Sequence, residues 1–251
     1  MMDLLEDSFS LLKNTGARSS MALGDESFRE NVQELLKLLS AIRRHSTESQ
    51  VEEYMSLLAD SFDDEVDVVV EALETGEALA TVLSAMKLHS RNFKIQLHGC
   101  YVLLRLVELS PRIKGEFQGK PDGLKFLLQI MSKYADKTCQ VVGCKIISNL
   151  CTSTRTRRDA VSNGAVGSVL YAISQFGEEE EFYIPAFEAL TCLLADDLKV
   201  KENFMNMDVQ NSRKKAYRML VDIMEKYTNS GKLFFNFKKV PLFLGKVKDR
   251  I

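Results

Sequence analysis

Apolar and small residues recur every three or four positions along much of the chain, with polar residues between them. In the segment 93–109 they fall at Ile95, Gly99, Val102, Leu103, Leu106 and Leu109. This spacing predicts amphipathic α-helices, because a half-buried strand would alternate at every second residue. The same spacing predicts helices in four further segments, 123–134, 137–151, 165–176 and 182–195. We therefore expect an all-α protein whose helices are joined by short polar links.

A segment of about 44 residues recurs along the sequence. Residues 39–46 (LSAIRRHS) read against residues 83–90 (LSAMKLHS), which is an offset of 44 positions. An offset of 43 places residues 143–150 on residues 186–193. Because one helix group cannot bury its apolar faces alone, neighbouring copies are expected to stack and share a core. Three small residues at equivalent points should let stacked helices approach closely: Gly99, Gly143 and Ala186.

The period and two motifs resemble the armadillo class of helical repeats. Asn163-Gly164-Ala165-Val166 matches the junction between the first and second armadillo helices, where a residue that tolerates positive φ is needed. Residues 143–150 (GCKIISNL) match the third-helix pattern Ala-Ala-x-Ala-Leu-x-Asn-Leu, and so do residues 186–193. The likeness covers about residues 32–227. It implies an all-α fold, a right-handed α-solenoid of about four to five armadillo-like helical repeats.

Three segments follow from this organisation. Residues 1–31 are expected to form an N-terminal helical cap or a partly disordered segment, and residues 32–230 form the armadillo-like repeat domain. Residues 231–251 are a basic tail with four phenylalanines, which we expect to dock on the last repeat. Binding to a partner or to an anionic membrane are the alternatives for the tail. Membrane contact is the less favoured one, because Pro241 would interrupt an amphipathic helix.

Composition and charge limit the classes of function. The chain has 251 residues, of which 45% are apolar, and no apolar run approaches the roughly 18 residues of a membrane helix. The net charge of −2 gives no overall attraction to nucleic acid. Its distribution is uneven, with a net −10 over residues 1–92 and +7 over residues 93–177. This gradient could steer a charged partner, although two differently charged solvated surfaces would look the same.

The residues that most often carry chemistry form no recognisable site. His45 and His89 stand at equivalent points just after a helix, where histidine commonly interacts with the last carbonyl groups. The five cysteines contain no Cys-x-x-Cys pair and are interpreted as reduced, buried thiols of a protein in the cytoplasm or the nucleus. No spacing typical of a metal site, a phosphate loop or a nucleophile with its base is present. We therefore expect no enzyme activity, no cofactor and no metal.

The resemblance points to a concave groove as the binding surface. In the armadillo pattern the third and seventh positions of the third helix face this groove, and equivalent spacing extends the set to two glutamines. The predicted groove residues are Gln96, Tyr101, Arg105, Gln140, Lys145, Asn149 and Glu188. Asn149 matches the asparagine that holds an extended peptide in nuclear-import receptors, although a local hydrogen bond is the alternative for it. The chain lacks the tryptophans of those receptors, which argues against that function.

A second candidate contact is a basic cluster formed by Arg155, Arg157 and Arg158. It is interpreted as a solvated face or as a contact for a phosphate or an acidic peptide. The function expected from the whole sequence is that of a scaffold or adaptor that presents a helical groove to a protein or an extended peptide. A regulator of a chaperone or small GTPase, a helical enzyme with an unrecognised site, and a subunit of a larger assembly are the alternatives. Self-association is left open.

Overall fold

The structure, a computed structural model, describes residues 24–44, 47–63, 73–74, 77–177, 179–195, 198–208, 215–216 and 218–222. Within these ranges the chain forms eleven α-helices, one short 3-10 helix and no strand beyond an isolated bridge between Asp208 and Lys215. The predicted all-α class is therefore confirmed. The whole of the basic tail 231–251 and most of the predicted cap 1–31 lie outside the described residues, and so does His45.

The helix bounds agree closely with those predicted from the apolar spacing. The helices are α1 Gly24–Arg43, α2 Glu48–Asp60, the 3-10 helix Ser61–Asp63, α3 Ala78–Leu88, α4 Phe93–Leu109, α5 Pro111–Gln118, α6 Pro121–Lys133, α7 Lys137–Leu150, α8 Thr154–Ser162, α9 Ala165–Phe176, α10 Glu180–Leu193 and α11 Leu198–Asn206. The predictions for α4 and α9 have these bounds, and those for α6, α7 and α10 differ by at most two residues at either end. None of the described helices combines the length and apolar character needed to cross a bilayer.

The helices pack in two rows. The first row consists of α2, α4, α7 and α10, each in contact with the next, and their first residues are 45, 44 and 43 positions apart. The second row consists of α3, α6 and α9, whose first residues are 43 and 44 positions apart and which contact α4, α7 and α10 respectively. The short helices α5, α8 and α11 begin 43 and 44 positions apart. The sequence period is thus also the spacing of the helices.

The core is one continuous cluster to which both rows contribute. Ile95 and Val142 on the first row and Leu79 and Val169 on the second are among its fully buried side chains. Removing these apolar faces from water is the main favourable contribution to folding. A single helix of either row has no other surface on which to bury its apolar face, so each depends on its neighbours.

Four of the five cysteines are buried, as predicted, and Cys192 is the exception because it is half-buried. None of the five forms a disulfide. Burial raises the pKa of Cys144, and it raises the pKa of Cys151 to about 12. A hydrogen bond with Cys139, followed by burial, raises the pKa of Cys100. These thiols stay protonated at neutral pH and are poor nucleophiles and metal ligands.

The helix ends follow ordinary capping rules. The side chain of Asn92 accepts a hydrogen bond from a backbone N–H in the first turn of α4, and Asp136 does the same 44 residues later for α7. Gly164 has φ +87°, which confirms the positive φ expected at that junction. Gly119, the C-cap residue of α5, has an ordinary helical φ of −77°. His89 is the C-cap residue of α3, as expected.

Two of the three small residues, Gly99 and Gly143, face methionines of second-row helices. A β-carbon added at Gly99 would lie 2.5 Å from the sulfur of Met86, and one added at Gly143 would lie 2.6 Å from the sulfur of Met131. Met86 and Met131 lie on α3 and α6, which are second-row helices. Each glycine therefore makes room for a methionine of the preceding helix.

Candidate functional site

A groove with a volume of about 630 Å³ opens where the end of α2 and the 3-10 helix face α4 and α7. It brings together three of the predicted residues, Tyr101 and Arg105 from α4 and Lys145 from α7. Tyr101 and Arg105 are four positions apart, so they share one face of α4. Asp60 and Phe62 contribute the opposite wall. We call this surface the Tyr101 groove.

Arg105 holds the wall of the groove that contains Phe62 in place. Its Nη1 donates to Glu108 Oε2 at 3.1 Å, and its Nη2 donates to the carbonyl oxygen of Phe62 at 3.3 Å. The guanidinium also lies over the ring of Phe62, 6.0 Å from its centre. Because these contacts join α4 to the 3-10 helix and balance its charge, Arg105 is a positioning residue for the groove wall.

Tyr101 presents an aromatic surface to the groove. Its side chain is 38% exposed, and together with Leu88 it makes up the exposed large hydrophobic side chains of the described residues. Partial burial, and after it the negative charge of Asp136, raises the pKa of Tyr101. The phenol therefore stays protonated at neutral pH and can donate a hydrogen bond to a ligand. A large ring with a polar end is a common anchor in protein interfaces.

The two outer walls carry opposite charge. Helix α2 has four carboxylates and no basic residue, whereas α7 has two lysines and no carboxylate. At the groove these walls present Asp60 and Lys145, which are both exposed. Within the described residues neither of them forms an ion pair. The groove is thus acidic on one side of Tyr101 and basic on the other.

Gln96 and Gln140 do not line the groove, and the structure corrects their predicted role. Both are fully buried. Gln96 Nε2 donates to the carbonyl oxygens of Met86 and His89, at 2.8 and 3.1 Å. Gln140 Nε2 makes the equivalent pair of bonds to the end of α6. Spacing along the sequence does not reveal this role, in which each amide caps the free carbonyl groups at the end of the preceding helix.

Asn149 and Glu188 are accessible but do not line the Tyr101 groove. The side-chain amide of Asn149 donates to the carbonyl oxygen of Lys145 at 3.0 Å, which is the local hydrogen bond considered as its alternative role. Glu188 is exposed on α10, one helix further along the first row. The structure thus separates these two residues from the three that form the groove.

The basic cluster lies on α8, outside the groove. Arg155 and Arg158 are exposed, whereas Arg157 is half-buried and donates to the hydroxyl of Thr154 at 3.3 Å. The positive charge of Arg157 also opposes the rise in the pKa of Cys151. The three arginines do not converge with Tyr101 or Lys145 on a common surface.

No local sequence pattern identifies Asp60 and Phe62, which form the α2 side of the groove. Phe62 and Arg105, which are hydrogen-bonded, are 43 positions apart. Because this separation equals the period of the sequence, the period is the signal by which Phe62 could have been found. His98, one turn before Tyr101 and two turns before Arg105 on α4, also lines the groove. No cluster of His, Cys, Asp and Glu side chains in the described residues is arranged to hold a metal ion.

No protein-family model matches the sequence, and no curated protein sequence matches it. A crystal structure described as that of an engineered protein is similar in fold, with a TM-score of 0.56. The similarity covers 85% of this chain and 93% of the engineered one, at 11% sequence identity. At that identity the likeness concerns the fold alone.

Proposed function

We propose that this protein is a non-enzymatic scaffold or adaptor that binds a protein or an extended peptide in the Tyr101 groove. The observation that carries the proposal is the convergence of Tyr101, Arg105 and Lys145 on one open groove between α2, α4 and α7. Tyrosine and arginine are among the residue types that usually dominate binding energy in interfaces, and Lys145 adds an exposed charge beside them. The proposal involves no catalytic step, cofactor or metal.

We also infer that the helices form a right-handed α-solenoid of armadillo-like repeats. Three observations support this: helix starts spaced 43 to 45 positions apart, the equivalent glutamine contacts, and the equivalent glycine–methionine contacts. Superposing α5–α7 on α8–α10 in a crystal structure tests the inference. A repeat array requires that the same rotation and translation also relate neighbouring groups. Unrelated operations would contradict it.

We propose a reducing compartment, the cytoplasm or the nucleus, as the site of action. Five cysteines without a disulfide support this location, because extracellular chains of this size usually pair their cysteines. Cell fractionation with an antibody to the protein would test it, and recovery only from the secretory pathway would contradict it.

A photo-crosslinking amino acid in place of Tyr101 tests the groove directly. The protein is expressed in cells, irradiated and purified, and the crosslinked proteins are identified by mass spectrometry. The matched control carries the same crosslinker at Gln129, an exposed position of α6 that does not line the groove. We expect a specific partner at position 101 that is absent at position 129. The same set of proteins at both positions would contradict the proposal.

A pair of variants then measures how much of the affinity the groove supplies. Tyr101→Ser with Lys145→Glu removes the ring and reverses the lysine charge, but it leaves Arg105 and its structural bonds intact. Lys125→Glu with Gln129→Ser makes matched changes at exposed positions of α6. We expect at least about a tenfold loss of partner affinity for the first pair alone. Unchanged affinity in a folded Tyr101/Lys145 variant would exclude the groove.

A further inference from the structure

The Tyr101 groove contains one ion pair of its own and two charges left for a ligand. Arg105 and Glu108 are paired at 3.1 Å, and both line the groove. Asp60 and Lys145 also line it, are exposed, and form no ion pair within the described part of the chain. One uncompensated charge of each sign is therefore available.

These two charges stand on opposite sides of the tyrosine. Helix α4 contacts both α2 and α7, so it lies between the helix that carries Asp60 and the helix that carries Lys145. Tyr101 is exposed on α4. A chain that crosses the groove therefore meets a carboxylate, an aromatic ring and an ammonium group in turn.

Several charged residues near these walls already have partners, and among them Asp136, just before α7, accepts from the backbone N–H of Cys139 at 2.9 Å. Glu52 on α2 accepts from Lys94 at 2.8 Å, and Lys137 on α7 lies 2.8 Å from Glu179 and 3.2 Å from Glu181. These pairs lie outside the lining of the groove. Apart from the Arg105–Glu108 pair, the acidic and lysine residues that line the groove are thus Asp60 and Lys145.

We propose that the Tyr101 groove selects an extended peptide segment in which an apolar or aromatic residue lies between a basic residue and an acidic residue. This inference rests on the proposed function and names the chemistry of its ligand. The basic side chain pairs with Asp60, the acidic side chain pairs with Lys145, and the central residue packs on Tyr101. A wholly acidic segment would meet Asp60 and a wholly basic segment would meet Lys145, so like charges reject both.

The dimensions suit a short segment. A volume of about 630 Å³ lies within the range of roughly 300–1,000 Å³ that is usual for ligand sites. Only a few residues of an extended chain therefore enter the groove. Selectivity by one charge on each side of a central anchor is sufficient for a ligand of this size.

Four synthetic peptides of about nine residues test this inference by fluorescence anisotropy with the full-length protein. All share a central Leu-Phe-Leu. One carries lysines before it and glutamates after it, one carries only glutamates, one only lysines, and one only glutamines. We expect the mixed-charge peptide to bind about threefold to tenfold more tightly than each of the others at low salt. The advantage should shrink at about 0.5 M salt, because exposed charges are screened.

Two charge reversals make opposite predictions. Lys145→Glu leaves both walls acidic, so the lysine peptide should become the tightest ligand. Asp60→Lys leaves both walls basic, so the glutamate peptide should become the tightest. Lys125→Glu, which changes the net charge as much as Lys145→Glu does, should leave the order of the peptides unchanged. Far-UV circular dichroism and thermal melting establish that each variant is folded.

Equal binding of the four peptides, an order that the two reversals do not change, or no binding of any peptide would overturn the inference. The crosslinking experiment separates this failure from that of the proposed function. If a partner is captured at position 101 but the peptides show no charge selectivity, the groove remains a binding surface and the proposed selection of charged peptides is wrong. The absence of any position-specific partner would remove both.

Discussion

Gly143 leaves the space that the side chain of Met131 occupies. A β-carbon on Gly143 would lie 2.6 Å from Met131 Sδ and 2.8 Å from its Cγ, which is closer than van der Waals contact allows. Met131 is buried, so its side chain would have to shift to accept that β-carbon. Gly99 and Met86 have the same relationship one period earlier. These glycines therefore set the separation between the two rows of helices.

Gly143→Ala is expected to lower the free energy of unfolding by about 1 kcal/mol. Overpacking against Met131 lowers the free energy of unfolding by about 1–3 kcal/mol. The better helix propensity of alanine offsets about 1 kcal/mol of this loss. Gly115→Ala is the matched control, because no atom lies within 4 Å of its added β-carbon. Gly115→Ala should raise the free energy of unfolding by about 0.5–1 kcal/mol. Urea unfolding measures both, and a gain in stability for Gly143→Ala as large as that of Gly115→Ala would contradict the packing relationship.

Gln140→Leu is expected to lower the free energy of unfolding by about 1–3 kcal/mol, although leucine has a similar size and is apolar. The substitution removes the donor to Met131 O and Tyr134 O, at 2.6 and 2.8 Å, and leaves these carbonyl groups at the end of α6 without it. Gln129→Leu, on the exposed face of α6, should change stability by less than about 0.5 kcal/mol. Chemical unfolding compares the two, and equal effects would show that the buried amide has no capping role.

The ion pair between Glu52 and Lys94 should make stability depend on pH in the acidic range. The hydrogen bond from Lys94, and then that from Asn92, lowers the pKa of Glu52 from its ordinary value of 4.5. Since the folded-state pKa is the lower one, the contribution is complete above pH 4.5 and is lost as the pH falls through the folded-state value.

Comparison with Glu52→Gln isolates this contribution. The wild type should be more stable than the variant at neutral pH, and the two should converge on acidification. Glu53→Gln, an exposed neighbour without an ion pair in the described residues, should show no such convergence. Thermal melting across the pH range provides the measurement. A constant difference between the wild type and Glu52→Gln at every pH would mean that the pair contributes nothing.

Cys192 should be the most reactive of the five thiols in the folded protein. It is half-buried, whereas the other four are buried. With a pKa of about 12, only about 10⁻⁴ of Cys151 is thiolate at pH 8. Brief alkylation with iodoacetamide, followed by peptide mass spectrometry, should label Cys192 first, and urea should expose the rest. Equal labelling of all five without denaturant would contradict the packing of the first row.

Local information predicts the helices well because helix formation depends on neighbours three and four positions apart. The spacing of apolar residues placed α4 and α9 at their observed bounds. The 44-residue period in the sequence reappears as the spacing of the helix starts. The positive φ of Gly164 follows from its place between two helical segments, where most other residues would be strained.

The amino-acid sequence alone thus determined the helical class, the period and the position of most helices, since these depend on contacts within a turn or two. Only the tertiary structure decided which polar side chains face inward. Gln96 and Gln140 reach the ends of helices α3 and α6, and Phe62 meets Arg105 across 43 residues. These contacts depend on how neighbouring helices are oriented, which no local pattern specifies. The Tyr101 groove exists because that packing brings α2, α4 and α7 together.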